Sequence, residues 1–520
     1  MSRTSQSVKN IVTGIGSQIF LAAVSFFTTR IIKVSLGFEY LGLNGVFNNI
    51  MSLLGLTELG IGGAIVFALY KPLAENDTKL ISILMRFYRN AYCIIGSVVF
   101  VIGMAIMPFL QFFVHTTLSL NYVRGVFLLF VFNSSASYFL SYKRNLIFAD
   151  QKNYIITLYT LIFSLISKVG QLTVFLVTKS YVLYLSVNIL CTILLNILIS
   201  LKANRLYPYL KDKVTEKMPL ETKNMLVSKI KALFLHSIGD FVVFGTDNIL
   251  ISHFLGVAEV GRYSSYMMIV SLIGNLVNQI YTGISSSVGN FLVLKSKEEQ
   301  YELYKKIEFI NSVLLIFISV CLATLLTPFV SWWLGEDSVL SKTVVYLIVA
   351  SNFIGYSRTP IGTIKTAVGI FEKDKFAPLI ESLINLVSSI VLAHFIGLPG
   401  IIIGTIISSL AVPFWVQSTI VYKDVFQKNP ISYFLVVLRN FVCSAALIAP
   451  LQFLFGRLFV VNKTVSLLLY FFIAIVSCAV FEFAVFFKSK YFKFFCENAK
   501  NSLQARKLNK AREEISLDAQ

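Results

Sequence analysis

Charge is scarce in this sequence. Asp, Glu, Lys and Arg make up only 14% of its 520 residues, where an ordinary soluble protein carries about a quarter. The charges that are present fall between long uncharged stretches, which excludes a water-soluble globular chain. Cysteine is also scarce, 6 in all. No Cys-x-x-Cys pair occurs, and Cys93, Cys191, Cys321, Cys443 and Cys478 lie inside apolar runs, leaving Cys496 near the end. A disulfide framework or a thiolate metal site is therefore not expected, and the cysteines read as small packing residues. No Gly-rich phosphate loop occurs, so ATP hydrolysis by this chain is not expected. No nucleophile–base motif stands out, so the chain reads as a non-enzyme with no cofactor and no metal. The first apolar segment is too long for a signal-peptide core and lacks a cleavage site, so it reads as a span.

Apolar residues are abundant, 56% of the chain, and they are dealt into about fourteen segments of helical membrane-spanning length. A bilayer core about 30 Å thick needs roughly 20 helical residues. The expected fold is an all-α polytopic membrane protein with about 14 transmembrane helices. The spans are expected near 11–33, 43–69, 91–113, 122–142, 154–178, 182–201, 232–255, 263–294, 307–331, 343–364, 377–396, 400–422, 433–456 and 464–487.

The net charge of +19 would suit nucleic acid if it were clustered on a soluble face, but its position argues for topology. Of the 45 basic residues, about three quarters fall in alternate loops and the two ends, from Arg3 and Lys9 through Lys71–Arg89, Lys143–Lys152 and Lys202–Lys231 to the tail from Lys488. The positive-inside rule then places both termini in the cytoplasm. Anionic lipid heads are a second partner for these residues.

The chain reads as two similar halves. Leu36-Gly37, four residues, then Gly42 after the first span is matched by Leu255-Gly256, four residues, then Gly261 after the seventh. The matched spans run in the same direction, a parallel repeat. The expected domains are an N-terminal lobe (1–201), a basic cytoplasmic linker (202–231), a C-terminal lobe (232–422), two further spans (423–487) and a cytoplasmic tail (488–520).

Two runs carry a resemblance to a known group: "YLGLNGVFNNIMSLLGLTELGIGGAIVFALYKPLAEND" from Tyr40 to Asp77, and "DNILISHFLGVAEVGRYSSY" from Asp247 to Tyr266. They resemble the polysaccharide-flippase (Wzx-type) branch of the multidrug, oligosaccharidyl-lipid and polysaccharide exporter superfamily. The resemblance implies two six-helix lobes around a central cavity, with two added C-terminal helices. It also implies a bacterial cytoplasmic-membrane flippase that carries polyprenyl-pyrophosphate-linked oligosaccharide to the outer leaflet by alternating access. Membrane lipids and polysaccharide-assembly enzymes are the implied partners.

Such a head group crosses only through a polar cavity with some positive charge, because unpaired buried polar groups cost several kcal/mol each. Ionisable residues within spans are the place to look. Arg30 and Lys33 near the end of the first span, Lys168 in the fifth and Arg358 in the tenth are candidates for the pyrophosphate; snorkelling or internal ion pairing is the competing reading. Arg262 and Arg439 lie nearer span ends. In the seventh span His236, Asp240 and Asp247 share one face, which suits a coupling proton or Na⁺, or else a salt bridge to Lys168 or Arg358. Glu58 and Glu381 are further coupling candidates, and His253 lies off that face. In the eighth span Ser264, Ser271, Asn275, Asn278, Thr282 and Ser285 share a face that suits sugar hydroxyls, or equally helix–helix packing.

Three rival readings stand beside the flippase. A cation-coupled multidrug exporter of the same superfamily would want an acidic, aromatic cavity. A membrane-embedded polymerase or ligase would commonly carry a large outer loop, and here these loops span only about four to twelve residues. A scaffold would have little use for charge in so many spans.

Overall fold

The computed structural model describes residues 3–58, 61–211, 216, 218–220, 222–227, 230, 245–370, 373–458, 462–498 and 500–501. Among them the chain is helical and contains no strand. Hydrocarbon offers no partner for a bare N–H or C=O, so a helix, which satisfies both internally, is the form these apolar runs adopt. In chain order the helices are α1 (Arg3–Leu36), α2 (Phe38–Leu54), α3 (Ile61–Glu75), α4 (Thr78–Ile106), α5 (Leu110–Phe113), α6 (Leu120–Ser141), α7 (Arg144–Ala149), α8 (Asn153–Thr178), α9 (Tyr181–Leu206), α10 (Asp247–Leu255), α11 (Val257–Leu294), α12 (Lys297–Leu334), α13 (Lys342–Ser357), α14 (Thr359–Val368), α15 (Ala377–Ile396), α16 (Leu398–Ala411), α17 (Pro413–Ile420), α18 (Ile431–Arg457) and α19 (Lys463–Phe486). Nine helical stretches among the described residues are long and apolar enough to cross a bilayer.

Several expected spans are interrupted, which corrects the reading of them as single helices. The run 43–69 ends as α2 at Leu54, passes through a 3₁₀ turn at Gly55–Glu58 and restarts at Ile61. The run 343–364 breaks at Arg358, before Pro360. The run 400–422 breaks at Val412 and Pro413 and widens to a π-helix at Val421–Phe426. Proline explains the last two breaks, since it lacks the N–H a preceding turn requires and is accommodated in the first turn of a new helix. The seventh expected span falls largely outside the described residues, which resume at Gly245.

The residues group into two compact units. The first comprises Met1–Gly283, Trp333–Leu347 and Glu372–Val416; the second comprises Ile284–Trp332, Ile348–Phe371 and Gln417–Gln520. In the first unit, a core of Ile65, Leu69, Leu84, Tyr88, Val99, Leu146, Ile147 and Ala203 joins α3, α4, α7 and α9. α15 and α16 form a tight hairpin in which Gly400 abuts the Leu392 carbonyl and Gly404 abuts Ser389, while Asn385 donates to Thr405 Oγ1 at 3.1 Å. Small residues permit this approach, and the Asn385 amide nitrogen and the Thr405 and Ser408 hydroxyls bond across it, while Asn385 Oδ1 has no partner among the described residues. In the second unit, Ile316, Val320, Cys443, Leu447, Phe455, Ala474 and Cys478 pack α12 against α18 and α19.

The repeat seen in the sequence recurs in the backbone. Gly37 and Gly256 have φ of 89° and 87°, a conformation open to glycine and costly for other residues. Each glycine ends one helix and turns the chain into the next. The two new helices, α2 and α11, meet at their first turns within the first unit. Gly42 lies against the carbonyl of Val257, the first residue of α11, and Gly261 lies against the carbonyl of Phe38, the first residue of α2. The contact is reciprocal, with equivalent residues exchanging roles.

Candidate functional site

The first unit holds a polar cavity of about 510 Å³. α2 contributes Asn48 and Met51, the 3₁₀ turn Glu58, and α4 Tyr92. α6 contributes a helical series in which Asn133, Ser137 and Ser141 recur every fourth residue beside Phe130, Ser134 and Tyr138. Arg144 and Asn145 of α7 and Thr192 of α9 complete the wall. The interruption after α2 is what brings Glu58 to the cavity. Its carboxylate accepts hydrogen bonds from Tyr92 and Tyr138. Asn145 donates to the Tyr88 hydroxyl, and Asn196 donates to Ser137 Oγ at 3.2 Å.

Arg144 donates to Thr160 Oγ1 at 3.4 Å, yet its Nε is buried with no partner among the described residues, as is Asn133 Oδ1. Burial lowers the Arg144 pKa from its ordinary value, but a guanidinium remains charged at any physiological pH. One cation and one carboxylate thus face a shared volume without pairing with each other. Amides and hydroxyls surround them. The set matches a ligand with many hydroxyls and at least one anionic group, because guanidinium suits phosphate oxygens and amides suit both donors and acceptors of a sugar.

A second polar surface in the first unit lies on α11. Ser271, Asn275, Asn278 and Thr282 follow one another at helical spacing, are exposed, and have no hydrogen-bond partner among the described residues. Ser264 of the same series is different, half-buried beside Gly45, and nothing is described of the Ser285 side chain.

The other sequence candidates are dispersed. Arg30 is exposed on α1. Lys33 is engaged, donating to Leu334 O at 2.7 Å and to Asp337 Oδ1 at 2.8 Å. Lys168 is half-buried on α8 with no ion-pair or hydrogen-bond partner among the described residues. Arg358 lies in the second unit, at the break between α13 and α14. Asp247 begins α10, half-buried, with Tyr263 donating to it at 3.5 Å. Within the first unit that tyrosine hydroxyl is the hydrogen-bond partner of Asp247 among the described residues. His236 and Asp240 lie outside the described residues. Glu381 accepts from Ser409 Oγ at 3.3 Å. Arg439 donates to Ser312 and Asn440, with its guanidinium over Phe486.

Sequence reasoning missed most of the cavity wall. Arg144 was counted only as a topology charge, and the spacing of Asn133, Ser137 and Ser141 was the available signal.

Around the reciprocal glycines the first unit adds a set of polar contacts. Val257 N donates to His115 O at 2.9 Å, His115 Nδ1 lies 2.6 Å from His253 O, and His253 Nδ1 lies 2.8 Å from Phe112 O. Glu39 accepts from Thr116 Oγ1 at 2.5 Å and from Thr117 Oγ1 at 2.8 Å. Arg262 pairs with Glu259 at 2.8 Å, and the ring of Phe38 lies under both Lys33 and Arg262. These groups and the two glycines form a clasp between the starts of α2 and α11.

No protein-family model and no curated protein sequence matches the chain. Solved structures do. A lipid II flippase MurJ in an inward closed conformation aligns with a TM-score of 0.62 at 13% identity, covering 90% of this chain and 98% of that one. An inward-facing multidrug resistance MATE family transporter of the MOP superfamily aligns at 0.56 and 14%, covering 83% and 98%. A Vibrio cholerae MATE transporter, VcmN, aligns at 0.54 and 14%, covering 83% and 99%. The chain has the fold of these polytopic membrane transporters.

Proposed function

We propose that this chain is a flippase that carries a polyprenyl-pyrophosphate-linked oligosaccharide from the inner to the outer leaflet of a bacterial cytoplasmic membrane, by alternating access. The lining of the cavity carries this reading. Arg144 suits a pyrophosphate oxygen, and Asn48, Asn133, Ser134, Ser137 and Thr192 suit sugar hydroxyls. The polyprenyl tail stays in lipid, so only the head needs the cavity. Likeness of fold to a structure described as a lipid II flippase supports the same class of substrate. With both termini in the cytoplasm, Arg144 lies toward the inner side, and the clasp of Gly42 and Gly261 lies toward the outer side. The clasp is then a closed outer gate, and the lobes 1–201 and 232–422 rock about it.

Lys168 and Arg358 remain candidates for guiding the anion, and Asn275 and Asn278 for the sugar path. Glu58 and Asp247 are the described carboxylates best suited to a coupling cation. The membrane potential offers another source of energy: moving two negative charges outward is favoured by about 4.6 kcal/mol per 100 mV when the inside is negative. Partner enzymes of polysaccharide assembly would meet the cytoplasmic face and the tail 488–520.

The rival reading, a cation-coupled multidrug exporter, predicts that neutralising the cavity cation leaves transport intact. The test is flipping of a fluorescent polyprenyl-pyrophosphate oligosaccharide in proteoliposomes by the parent, Arg144→Gln, Lys168→Gln and Arg358→Gln. Flipping by the parent that is lost with Arg144→Gln, in protein that still folds, is the expected result. A parent that leaves this substrate in place and takes up cationic drugs instead would overturn the assignment.

A further inference from the structure

The second unit contains a separate pocket of about 410 Å³ whose walls are mostly apolar, with five phenylalanines among its nine lining residues. Phe309 and Val313 come from α12, Phe483 and Phe486 from α19, and Phe492 and Phe495 from the helical segment 490–498. The rings pack on one another: Phe309 meets Phe486 edge-on at 5.4 Å and stacks on Phe495 at 6.0 Å, and Phe483 meets Phe492 at 5.8 Å. Beside the thiol of Cys496, one charged side chain lines this largely apolar pocket. Glu482, one turn before the end of α19, lines the pocket, and its Oε1 is buried with no hydrogen-bond partner among the described residues.

An ionisable residue within a membrane helix normally faces water, a bundle interior or an opposite charge. Among the described residues Glu482 has no opposite charge paired with it. The nearby basic residues make other contacts than to Glu482: Arg439 to Ser312 and Asn440, Lys490 to Glu302 at 2.9 Å, and Lys306 to the ring of Phe494 at 3.9 Å. A carboxylate in a pocket lined by phenylalanines is the chemistry that takes an organic ammonium, since aromatic rings attract a cation and the carboxylate accepts its N–H groups.

The surroundings say which ammonium. The outward face of α19 is apolar, with Phe471, Phe472, Val480 and Phe483 exposed, so the approach is from hydrocarbon rather than from water. Lys488 and Lys490 follow directly, which sets Glu482 near the depth of lipid head groups. Arg439, lying on the face of Phe486 at 5.0 Å, and Lys306 bond only to neutral groups among the described residues, so each keeps a positive charge at the margin that a lipid phosphate needs. We infer that this pocket binds the head group of an aminophospholipid, with its primary ammonium on Glu482 and its phosphate toward Arg439 and Lys306. The site is independent of the polar cavity in the first unit and of the substrate proposed there.

Native mass spectrometry of the purified full chain, titrated with phosphatidylethanolamine, its N-acetylated form and phosphatidylglycerol of the same acyl chains, tests this. The expected result is one preferred phosphatidylethanolamine, with at least tenfold weaker binding of the two lipids that lack an ammonium. Glu482→Gln should abolish the preference. Val313→Trp, which fills the pocket and keeps the carboxylate, should abolish it too, so the test survives misfolding of either variant. Equal binding of the N-acetylated lipid, or a preference unchanged in both folded variants, overturns the proposal. Glu482-dependent binding of tetraphenylphosphonium without any lipid preference overturns the lipid assignment.

Discussion

Replacing Gly42 or Gly261 by alanine tests the clasp most directly. A Cβ at Gly42 would stand 1.9 Å from Val257 O, and one at Gly261 would stand 2.3 Å from Phe38 O, where 3.4 Å begins ordinary contact. The helix starts would therefore have to separate by about 1.5 Å in the first case and about 1.1 Å in the second. No rotamer relieves either clash, because the obstruction is backbone. Overpacking of this kind costs about 1–3 kcal/mol. Every 1.4 kcal/mol is a factor of ten, so the clasped state loses about 5- to 140-fold against an unclasped one. The clasped state is the one destabilised, so on the proposed gating the variant shifts toward an unclasped form, and a thermal melt separates that shift from unfolding. Spin labels at exposed positions of α2 and α11, in a cysteine-free background, report the separation by double electron–electron resonance. Gly125→Ala serves as the control, because a Cβ there meets nothing within 4 Å. A longer-distance population in Gly42→Ala and Gly261→Ala, absent from the control, is expected. Distance distributions identical to the parent in both variants would refute the reasoning.

Other expectations follow from the same contacts. Lys305 and Glu308 form a pair with side chains only 13% and 9% exposed, and Tyr304 donates to Glu308 at 2.9 Å. Lys305→Met, which leaves a buried carboxylate without its cation, should cost about 3–5 kcal/mol. Thermal unfolding in detergent should show it, and the double change with Glu308→Met should recover part of the loss. At Gly404 a Cβ would meet Ser389 N at 2.6 Å, so Gly404→Ala should loosen the α15–α16 hairpin by about 1–3 kcal/mol, seen as faster hydrogen exchange confined to those helices. In the clasp, Lys33 holds Asp337 below the usual aspartate value. For Glu39, burial raises the carboxyl, but hydrogen bonds from Thr116, Thr117 and Leu118 outweigh it, and the net direction is down. Folded-state values below the unfolded ones mean that both contributions are complete at neutral pH and disappear as pH falls below about 5. Asp337→Asn should flatten that acid limb in a melting-temperature series; an unchanged slope would remove Asp337 from the account.

Much of the fold was legible because hydrocarbon imposes a simple rule: long uncharged runs become helices. The four-residue spacing after Leu36-Gly37 and Leu255-Gly256 also held its meaning, since both glycines turn the chain at the same kind of joint. The interruptions were less legible. Hydropathy continues smoothly through Leu54, Glu58 and Ile61, and only the glycines and a lone carboxylate marked the break. Partners distant in sequence were invisible. Lys33 finds Asp337 and Asp247 finds Tyr263, and nothing in the local pattern separates a paired cation from one that awaits a ligand. Arg144 shows the same ambiguity from the other side, because a cation at the end of a span serves topology equally well whether it points to water or to a cavity.

The clasp and the cavity share one rigid element. Gly42 is in the clasp and Asn48 is in the cavity wall, six residues apart on α2 and so about 9 Å along one helix. A helix of this length does not bend without a defined cause, and α2 has no proline within it. Any displacement that opens the glycine contact therefore carries Asn48 with it. The 3₁₀ turn at Gly55–Glu58 is where the rod ends, so the motion is absorbed beside the one carboxylate of the cavity. A change in what Glu58 binds and a change at Gly42 are then two ends of one mechanical linkage. Loss of the clasp should alter ligand affinity in the cavity even though no clasp residue lines it.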